Sequence, residues 1–188
     1  MSADARTALF VMLGQTAERA VAGLEKVAPP QPLLLSSRYD LAEIIPDGVK
    51  KAIGAAESYK LFFVFEGYLR EFVVEVLSSD PAVSWWDKLP QDVKDEVTKL
   101  EENEEAKSWM ALGSRDKSAL LTYPQLLRIM EHAWKEAFAD QVRDKALLQE
   151  ARVIGHLRNT ICHMTAIPEE ESERVKQVMR DWFRVVAP

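Results

Sequence analysis

The apolar positions of this chain repeat at helical spacing in each long segment, which predicts an all-α protein. The predicted helices cover residues 4–27, 49–78, 91–109, 123–138 and 143–164, with a last helix after Pro168. No stretch shows the alternation of apolar and polar residues that is typical of a strand. The sequence therefore predicts an N-terminal helix and a Pro-rich linker over residues 1–45, followed by an antiparallel helical bundle over 46–188.

The longest predicted helix, residues 49–78, has more apolar surface than one core-facing stripe requires. Its predicted core stripe comprises Tyr59, Phe62, Leu69, Val73 and Val76. The residues that widen its apolar surface are Phe63, Val64, Phe65, Phe72 and Val74. A helix of this kind is central in its bundle or faces a second subunit. Glu66 interrupts the core stripe with a carboxylate.

The helix predicted over residues 143–164 has a matching interruption of opposite sign. Its apolar stripe comprises Leu147, Ala151, Ile154 and Ile161. Arg158 falls on this stripe, where an unpaired buried charge would cost several kcal/mol. We therefore predict that Arg158 and Glu66 approach each other. The alternative is that each side chain extends separately to water.

The end of the same helix combines three polar side chains within six residues. Asn159 and His163 are four positions apart and share a helical face, and Pro168 predicts that the helix ends soon after His163. Together with Arg158, these two residues provide a guanidinium with several N–H donors, an amide and a titratable imidazole. Such a combination can bind a phosphate. A purely structural interpretation has Arg158 in an ion pair and His163 as a cation favoured by the helix dipole.

The composition counts against a membrane-spanning protein and against a protein-built metal site. The 188 residues are 47% apolar, and the strongest apolar run, residues 61–65, is too short to cross a membrane. The single cysteine, Cys162, favours a reducing compartment, so we expect a cytoplasmic protein. Three scattered histidines and one cysteine make a protein-built metal site improbable, and no cofactor is expected.

The net charge of −6 counts against a broad nucleic-acid-binding surface. Much of the acid is local, in residues 101–105 and 169–171. Basic side chains gather near the polar end of the predicted 143–164 helix: Arg143, Lys145, Arg152, His156 and Arg158. A basic cleft beside the acidic runs therefore stays compatible with the composition.

Residues 158–163 resemble the motif of the HEPN superfamily, in which an arginine and a polar residue precede a histidine. The segment Phe65-Glu66-Gly67-Tyr68-Leu69-Arg70-Glu71-Phe72 resembles an early helix of the same family. The likeness covers roughly residues 48–187 and implies a HEPN-like helical bundle.

This resemblance implies a metal-independent endoribonuclease with RNA as its partner. Arg158 would bind the phosphate, His163 would act as general base or acid, and Asn159 would hold the phosphate or the imidazole. Glu66 would support the site. Family members typically form homodimers that join two motifs, and a toxin or defence effector silenced by a partner such as an antitoxin is the implied role. The alternative is a catalytically inactive module that binds RNA or a nucleotide or mediates assembly.

Overall fold

A computed structural model of the chain describes residues 3–27, 32–106 and 116–186, which are mostly helical. The helices are α1 (Ala3–Val27), α2 (Leu41–Ile44), α3 (Pro46–Leu77), α4 (Gln91–Glu105), α5 (Tyr123–His132), α6 (Ala139–Val142), α7 (Lys145–Cys162) and α8 (Glu169–Val186). A 3₁₀ helix covers Lys117–Leu120, and a π-helical segment covers Trp134–Phe138. The predicted all-α class is confirmed. Within the described ranges, each helix is too short or too polar to cross a bilayer.

The chain divides into two compact units, Met1–Ile53 and Gly54–Pro188, and the division falls within α3. The boundary predicted between residues 45 and 46 stays a prediction. The prolines of the predicted Pro-rich linker, at residues 29, 30 and 32, lie largely outside the described residues.

A small antiparallel hairpin in the first unit departs from the purely helical prediction. Strand β1 (Leu34–Ser36) pairs with β2 (Tyr39–Asp40), and Leu34 lies opposite Asp40. The Asp40 carboxylate accepts hydrogen bonds from the backbone N–H groups of Leu33 at 2.8 Å and of Ala42 at 2.9 Å. One side chain therefore both closes the hairpin and caps α2, a local arrangement that apolar periodicity does not reveal.

The core of the second unit is built around aromatic side chains from three helices. Phe65 of α3 packs edge-to-face on Trp182 of α8, with ring centroids 5.8 Å apart. Its ring also lies 6.1 Å from that of Tyr123 in α5. All three side chains are fully buried, and aromatic residues bury more surface than any others, so they dominate the packing of this core.

The predicted core stripe of α3 is partly wrong. The buried apolar residues of this helix within the second unit are Phe62, Phe65, Leu69, Val73 and Leu77. Phe65, which was placed among the residues that widen the surface, is fully buried, whereas Tyr59 is 52% exposed. The apolar pattern of α3 is compatible with two overlapping core faces. The neighbouring helices determine which of these faces is buried.

Helix α7 is fixed at its start and along one side. The Asp144 side chain accepts the backbone N–H of Ala146 at 2.8 Å and caps the first turn. The Tyr123 hydroxyl donates to the carbonyl oxygen of Ala151 at 2.6 Å, which ties α5 to α7. The predicted stripe of α7, from Leu147 to Ile161, is buried as expected. The helix is therefore a rigid support for the polar residues near its end.

Candidate functional site

A groove of about 440 Å³ lies between α3 and α7. Its aromatic and apolar wall is formed by Tyr59, Phe62, Phe63 and Ile161. Its polar residues are Glu66, Arg70, Glu71, Arg158 and Cys162. The groove thus combines cationic side chains with exposed aromatic rings, the two kinds of group that bind the phosphates and bases of single-stranded nucleic acids.

Arg158 and Glu66 form the ion pair that the interrupted stripes predict. The Arg158 Nε donates to Glu66 Oε2 at 3.1 Å, and its Nη2 donates to Oε1 at 3.4 Å. The side chains are 23% and 14% exposed, so neither charge is fully hydrated. The two-point contact compensates part of the dehydration cost that each charge would meet alone.

Arg70 joins the same carboxylate, and the sequence reasoning did not single it out. Its Nη2 donates to Glu66 Oε1 at 3.3 Å and to the backbone oxygen of Leu121 at 3.0 Å. Its Nε is buried without a hydrogen-bond partner among the described residues. Glu66 and Arg70 are four positions apart on one helix, and this spacing was the signal that would have found it.

We call Glu66, Arg70 and Arg158 the arginine-rich cluster. Its two guanidinium groups share one carboxylate, so the formal charge of the cluster is positive by one. A guanidinium has five N–H donors, and the contacts to Glu66 use two of those on Arg158. The cluster can therefore bind a further anion without breaking its internal ion pairs.

Tyr123 lies behind the groove and is unsuited to proton transfer. Burial raises the pKa of its hydroxyl, and the negative charge of Glu66 raises it further. The hydroxyl stays protonated and donates to the carbonyl of Ala151. It therefore has a structural role, and the titratable chemistry of the site is left to other groups.

Asn159 lines a different groove from its neighbour Arg158. This second groove, of about 470 Å³, lies between α5 and α7, and its polar lining comprises Arg128, Glu131, Arg152, His156 and Asn159. Successive residues of an α-helix point about 100° apart, which separates the two side chains. Within one chain, the structure does not bring Arg158 and Asn159 into the same groove.

The predicted basic cluster is partly neutralised. Arg152 donates to Glu131 Oε2 at 2.5 Å, and Lys145 lies 3.8 Å from Oε1 of the same carboxylate. The Arg152 hydrogen bond lowers the pKa of Glu131 below its ordinary value. The positive charge near the motif is therefore smaller than the sequence suggests. The described ranges hold no group of three His, Cys, Asp or Glu side chains arranged to bind a metal.

His163 forms the C-cap of α7, as the position of Pro168 suggests. It is exposed and lines neither of the two grooves, although its neighbour Cys162 lines the first. The chain then turns through Met164 and Thr165. The backbone N–H of Met164 donates to the carbonyl oxygen of Ile161 at 2.9 Å, and that of Thr165 donates to the carbonyl oxygen of Thr160 at 3.2 Å. These two bonds are those of a Schellman motif, and they hold the backbone of His163 in place.

Met164 occupies the left-handed position of this motif, with φ at 59°. Glycine is usual there, because a side chain in this conformation costs about 1 kcal/mol. The Met164 side chain is 91% exposed, so burial does not offset that cost. The turn that places His163 is therefore slightly strained.

Comparison with known proteins assigns this bundle to a family. The family model described as Swt1-like HEPN matches residues 60–187. This stretch contains α4 to α8, most of α3 and the whole arginine-rich cluster. It lies within the range of roughly 48–187 over which the sequence resembles the HEPN superfamily, so that resemblance is confirmed. No curated protein and no solved structure gives a significant match.

Proposed function

The chain belongs to the Swt1-like HEPN family, and on that premise we propose that it is a metal-independent endoribonuclease. The single observation that carries the proposal is the arginine-rich cluster in the groove between α3 and α7. Two guanidinium groups on one carboxylate leave N–H donors for a phosphate group, although Glu71 also lines the groove and offsets their excess positive charge. His163, at the end of the helix that carries Arg158, supplies the titratable group.

In the proposed reaction, the 2′-hydroxyl of one ribose attacks the adjacent phosphorus. A general base removes the hydroxyl proton as the new oxygen–phosphorus bond forms. The bond from phosphorus to the 5′-oxygen of the next nucleotide breaks, and a general acid protonates that leaving oxygen. The products are a 2′,3′-cyclic phosphate and a free 5′-hydroxyl. DNA is spared because it lacks the attacking hydroxyl.

Each side chain has a defined role in this scheme. Arg158 binds the non-bridging phosphate oxygens as they gain negative charge, and Glu66 orients its guanidinium. His163 acts as general base or general acid, because an imidazole exchanges protons near neutral pH. We add Arg70 to the phosphate-binding residues, because it lines the same groove and is held by the same carboxylate.

We propose that the active form is a homodimer. One imidazole cannot readily act as base and acid in the same step, and Asn159 lines another groove than Arg158. Pairing of two chains would bring a second motif to the cleft. Apolar residues on α3 support this arrangement, since Phe63 and Val64 are 67% and 58% exposed beside the groove. Asn159 of one chain would then hold the phosphate or imidazole in a joint cleft.

The biological role we propose is that of a toxin or defence effector, silenced in the cell by a partner. A nuclease that requires no metal or cofactor would be active once its chains have folded and paired, and a silencing partner would protect the host. Expression of the wild-type chain should then inhibit host growth, whereas expression of His163→Ala should not. Equal growth inhibition by both would contradict the role.

The central test is RNA cleavage in EDTA. End-labelled RNA is incubated with the wild-type chain and with His163→Ala and Arg158→Ala, purified in parallel. We expect cleavage by the wild type, products that end in a cyclic phosphate, and a loss of at least about 100-fold in each variant. His132→Ala is the matched control, because His132 is an exposed histidine at the end of α5. Equal cleavage by all four proteins would indicate a contaminant.

The dimer has a test of its own. Val64→Glu places a charge on the exposed side of α3, at a residue that does not line the groove, and it should yield monomers and abolish cleavage together. Analytical ultracentrifugation measures the first effect and the RNA assay the second. A fully active monomer would refute the dimeric site.

A catalytically inactive HEPN module is the second candidate, and one observation favours it. The Arg158 guanidinium already forms a two-point ion pair with Glu66 of the same chain, as it would in a purely structural role. Such a module would bind RNA or a nucleotide, or mediate assembly, without cleaving. RNA binding that survives in EDTA with no cleavage at any protein concentration would select this candidate.

A further inference from the structure

A separate groove of about 510 Å³ lies between α3 and α8. Its apolar floor is formed by Leu61, Met179 and Phe183, which pack against the core and stay partly accessible. Phe183 is held in place by Tyr68, with ring centroids 4.8 Å apart and the rings nearly edge-to-face. The floor is thus a preformed apolar surface whose side chains are fixed by the core behind them.

Three cations form one rim of this groove: Lys176, Arg180 and Arg184. They are spaced four residues apart, which places them in a row along one face of α8. Lys176 pairs with Glu173 at 2.5 Å, and Arg184 pairs more loosely with Asp181 at 3.5 Å. The rim is the part of α8 where positive charge gathers, whereas the first turn of the helix is acidic.

Arg180, in the middle of the rim, differs from the other two cations. Its Nε and Nη2 donate to the neutral amide oxygen of Gln177, at 3.1 and 2.8 Å. Among the described residues no carboxylate lies within ion-pair distance of it. The rim therefore presents one exposed guanidinium that forms no close ion pair among the described residues, although its positive charge contributes to the lowered pKa of Glu173.

We propose that this groove docks an acidic amphipathic helix from a partner protein. Apolar side chains on one face of such a helix would fill the floor of Leu61, Met179 and Phe183, and its carboxylates would pair with Arg180 and its neighbours. This is the helix-in-groove mode of recognition, with charge complementarity on one rim. The proposal is independent of the nuclease proposal, since no residue of the α3–α7 groove takes part.

A protein ligand fits the groove better than RNA does. The floor is apolar, whereas the recognition of unpaired bases relies on stacking faces together with hydrogen bonds to base edges. The ring of Phe183 is engaged by Tyr68 and Phe65, which limits its use as a stacking platform. The groove is also small, so we expect a transient complex with a Kd in the micromolar range, on the order of 10 μM.

The test uses the full chain, labelled with ¹⁵N, and two synthetic peptides. Both are 18-residue helix-forming peptides with leucine at one face, and they differ only in having glutamate or lysine on the flanks. We expect the acidic peptide to shift the amide signals of residues 176–184 and of Leu61. It should bind at least about tenfold more tightly than the basic peptide, because only its charges complement the rim.

Two variants of the same helix give the test its matched control. Arg180→Glu should weaken binding of the acidic peptide at least about tenfold and strengthen binding of the basic peptide. Arg174→Glu makes the same change of charge on α8, at an exposed residue that does not line the groove, and should change either affinity less than about twofold. Far-UV circular dichroism checks that both variants keep the helical fold.

Several outcomes would overturn the proposal. Equal binding of the two peptides would mean a generic apolar surface, and shifts that map elsewhere would mean another binding site. Shifts of residues 176–184 caused by single-stranded RNA, with none caused by the acidic peptide, would make this an RNA surface. A dimer that buries these residues before any peptide is added, and that Arg180→Glu dissociates, would make the occupant a second copy of the chain.

Discussion

Two charged clusters beside the same core have opposite compositions. They are the arginine-rich cluster of Glu66, Arg70 and Arg158 and an acid-rich cluster of Asp92, Glu96 and Arg128. The first has two guanidinium groups on one carboxylate, whereas the second has one guanidinium between two carboxylates. Side chains of the first are 14–26% exposed, and those of the second are 39–57% exposed.

The acid-rich cluster has the features of a structural contact. Arg128 of α5 reaches Asp92 at 2.8 Å and Glu96 at 2.5 Å, both in α4, and the buried Gln125 donates to Glu96 at 2.7 Å. The hydrogen bond that Arg128 donates to the Glu96 carboxylate lowers the pKa of Glu96 and raises the pKa of Arg128. The two helices are thereby joined across the surface, where such pairs contribute little stability.

The arginine-rich cluster is harder to explain by stability alone. Placing two guanidinium groups on one partly buried carboxylate leaves a net positive charge and an Arg70 Nε that has no hydrogen-bond partner in the described part of the chain. Both features oppose folding. The second arginine also donates to the backbone oxygen of Leu121, which is a structural contact. Its remaining donors would bind an anion from outside the chain in the proposed nuclease activity.

The largest expected effect is on RNA cleavage by an Arg70 variant. Arg70→Ala should lower kcat/KM about 100-fold, or about 2.7 kcal/mol in transition-state stabilisation, because one phosphate donor is lost. Arg128→Ala, the matched change in the acid-rich cluster, should lower kcat/KM much less than Arg70→Ala, although Arg128 lines the groove that contains Asn159. Initial rates on end-labelled RNA measure both. Equal losses in the two variants would mean that the clusters do not differ in function.

The next largest effect is on the free energy of unfolding, which should fall more when Glu66 is removed than when Glu96 is removed. Glu66→Ala should lower the free energy of unfolding by about 2 kcal/mol, because two partly buried guanidinium groups lose their anion. Glu96→Ala should cost less than Glu66→Ala, because its ion-pair partner Arg128 is exposed to water, although the amide of Gln125 also loses its acceptor. Urea unfolding followed by tryptophan fluorescence gives both values. A larger loss for Glu96→Ala would reverse the comparison.

A third test asks whether the groove of the arginine-rich cluster must stay open. Cys162 is the only cysteine of the chain, is exposed, and lines this groove. A bulky maleimide adduct on Cys162 should reduce RNA cleavage about tenfold, since it would cost roughly 1.4 kcal/mol of substrate binding. Cys162→Ser treated with the same reagent is the control and should keep its activity. An adduct that leaves the rate unchanged would place the substrate elsewhere.

The smallest expected effect is the pH dependence of the acid-rich cluster. The folded-state pKa of Glu96 lies below its ordinary value of 4.5, so its ion pair stabilises the fold above that pH. The stabilisation is lost as the pH falls through the lowered pKa, because the carboxylate takes up a proton. At pH 7, the free energy of unfolding of the wild type should exceed that of Arg128→Ala by less than about 1 kcal/mol. At acidic pH, this difference should be smaller still. A difference that grows on acidification would contradict this sign.

Several features of the site follow from local sequence alone. The buried stripe of α7 follows from apolar residues at helical spacing, and Pro168 predicts the end of the helix near His163. The Glu66–Arg158 pair was predicted from two charges that each occupy an apolar stripe, because dehydrated charges of opposite sign stabilise one another. These features could be predicted because each depends on one physical requirement. Apolar residues at helical spacing must be buried, and dehydrated charges of opposite sign must pair.

Other features depended on which helices become neighbours. Phe65 rather than Tyr59 became a core residue of α3, because the packing of α5 and α8 selects one of two apolar stripes. Asn159 came to line a groove with α5, although it follows directly on Arg158. Arg70 became part of the site because the carbonyl of Leu121, fifty-one residues away in the chain, lies beside it.

By itself, the sequence determined the helical class, the family, the course of α7 and the pairing of its inward arginine with Glu66. These follow from the helical period and from the cost of dehydrating a charge, both of which act within a segment or between two residues. Only the tertiary structure decided which groove each polar side chain faces and where positive charge exceeds negative. The physical reason is that a groove is formed by two helices at once, and its charge is the sum over residues far apart in the chain.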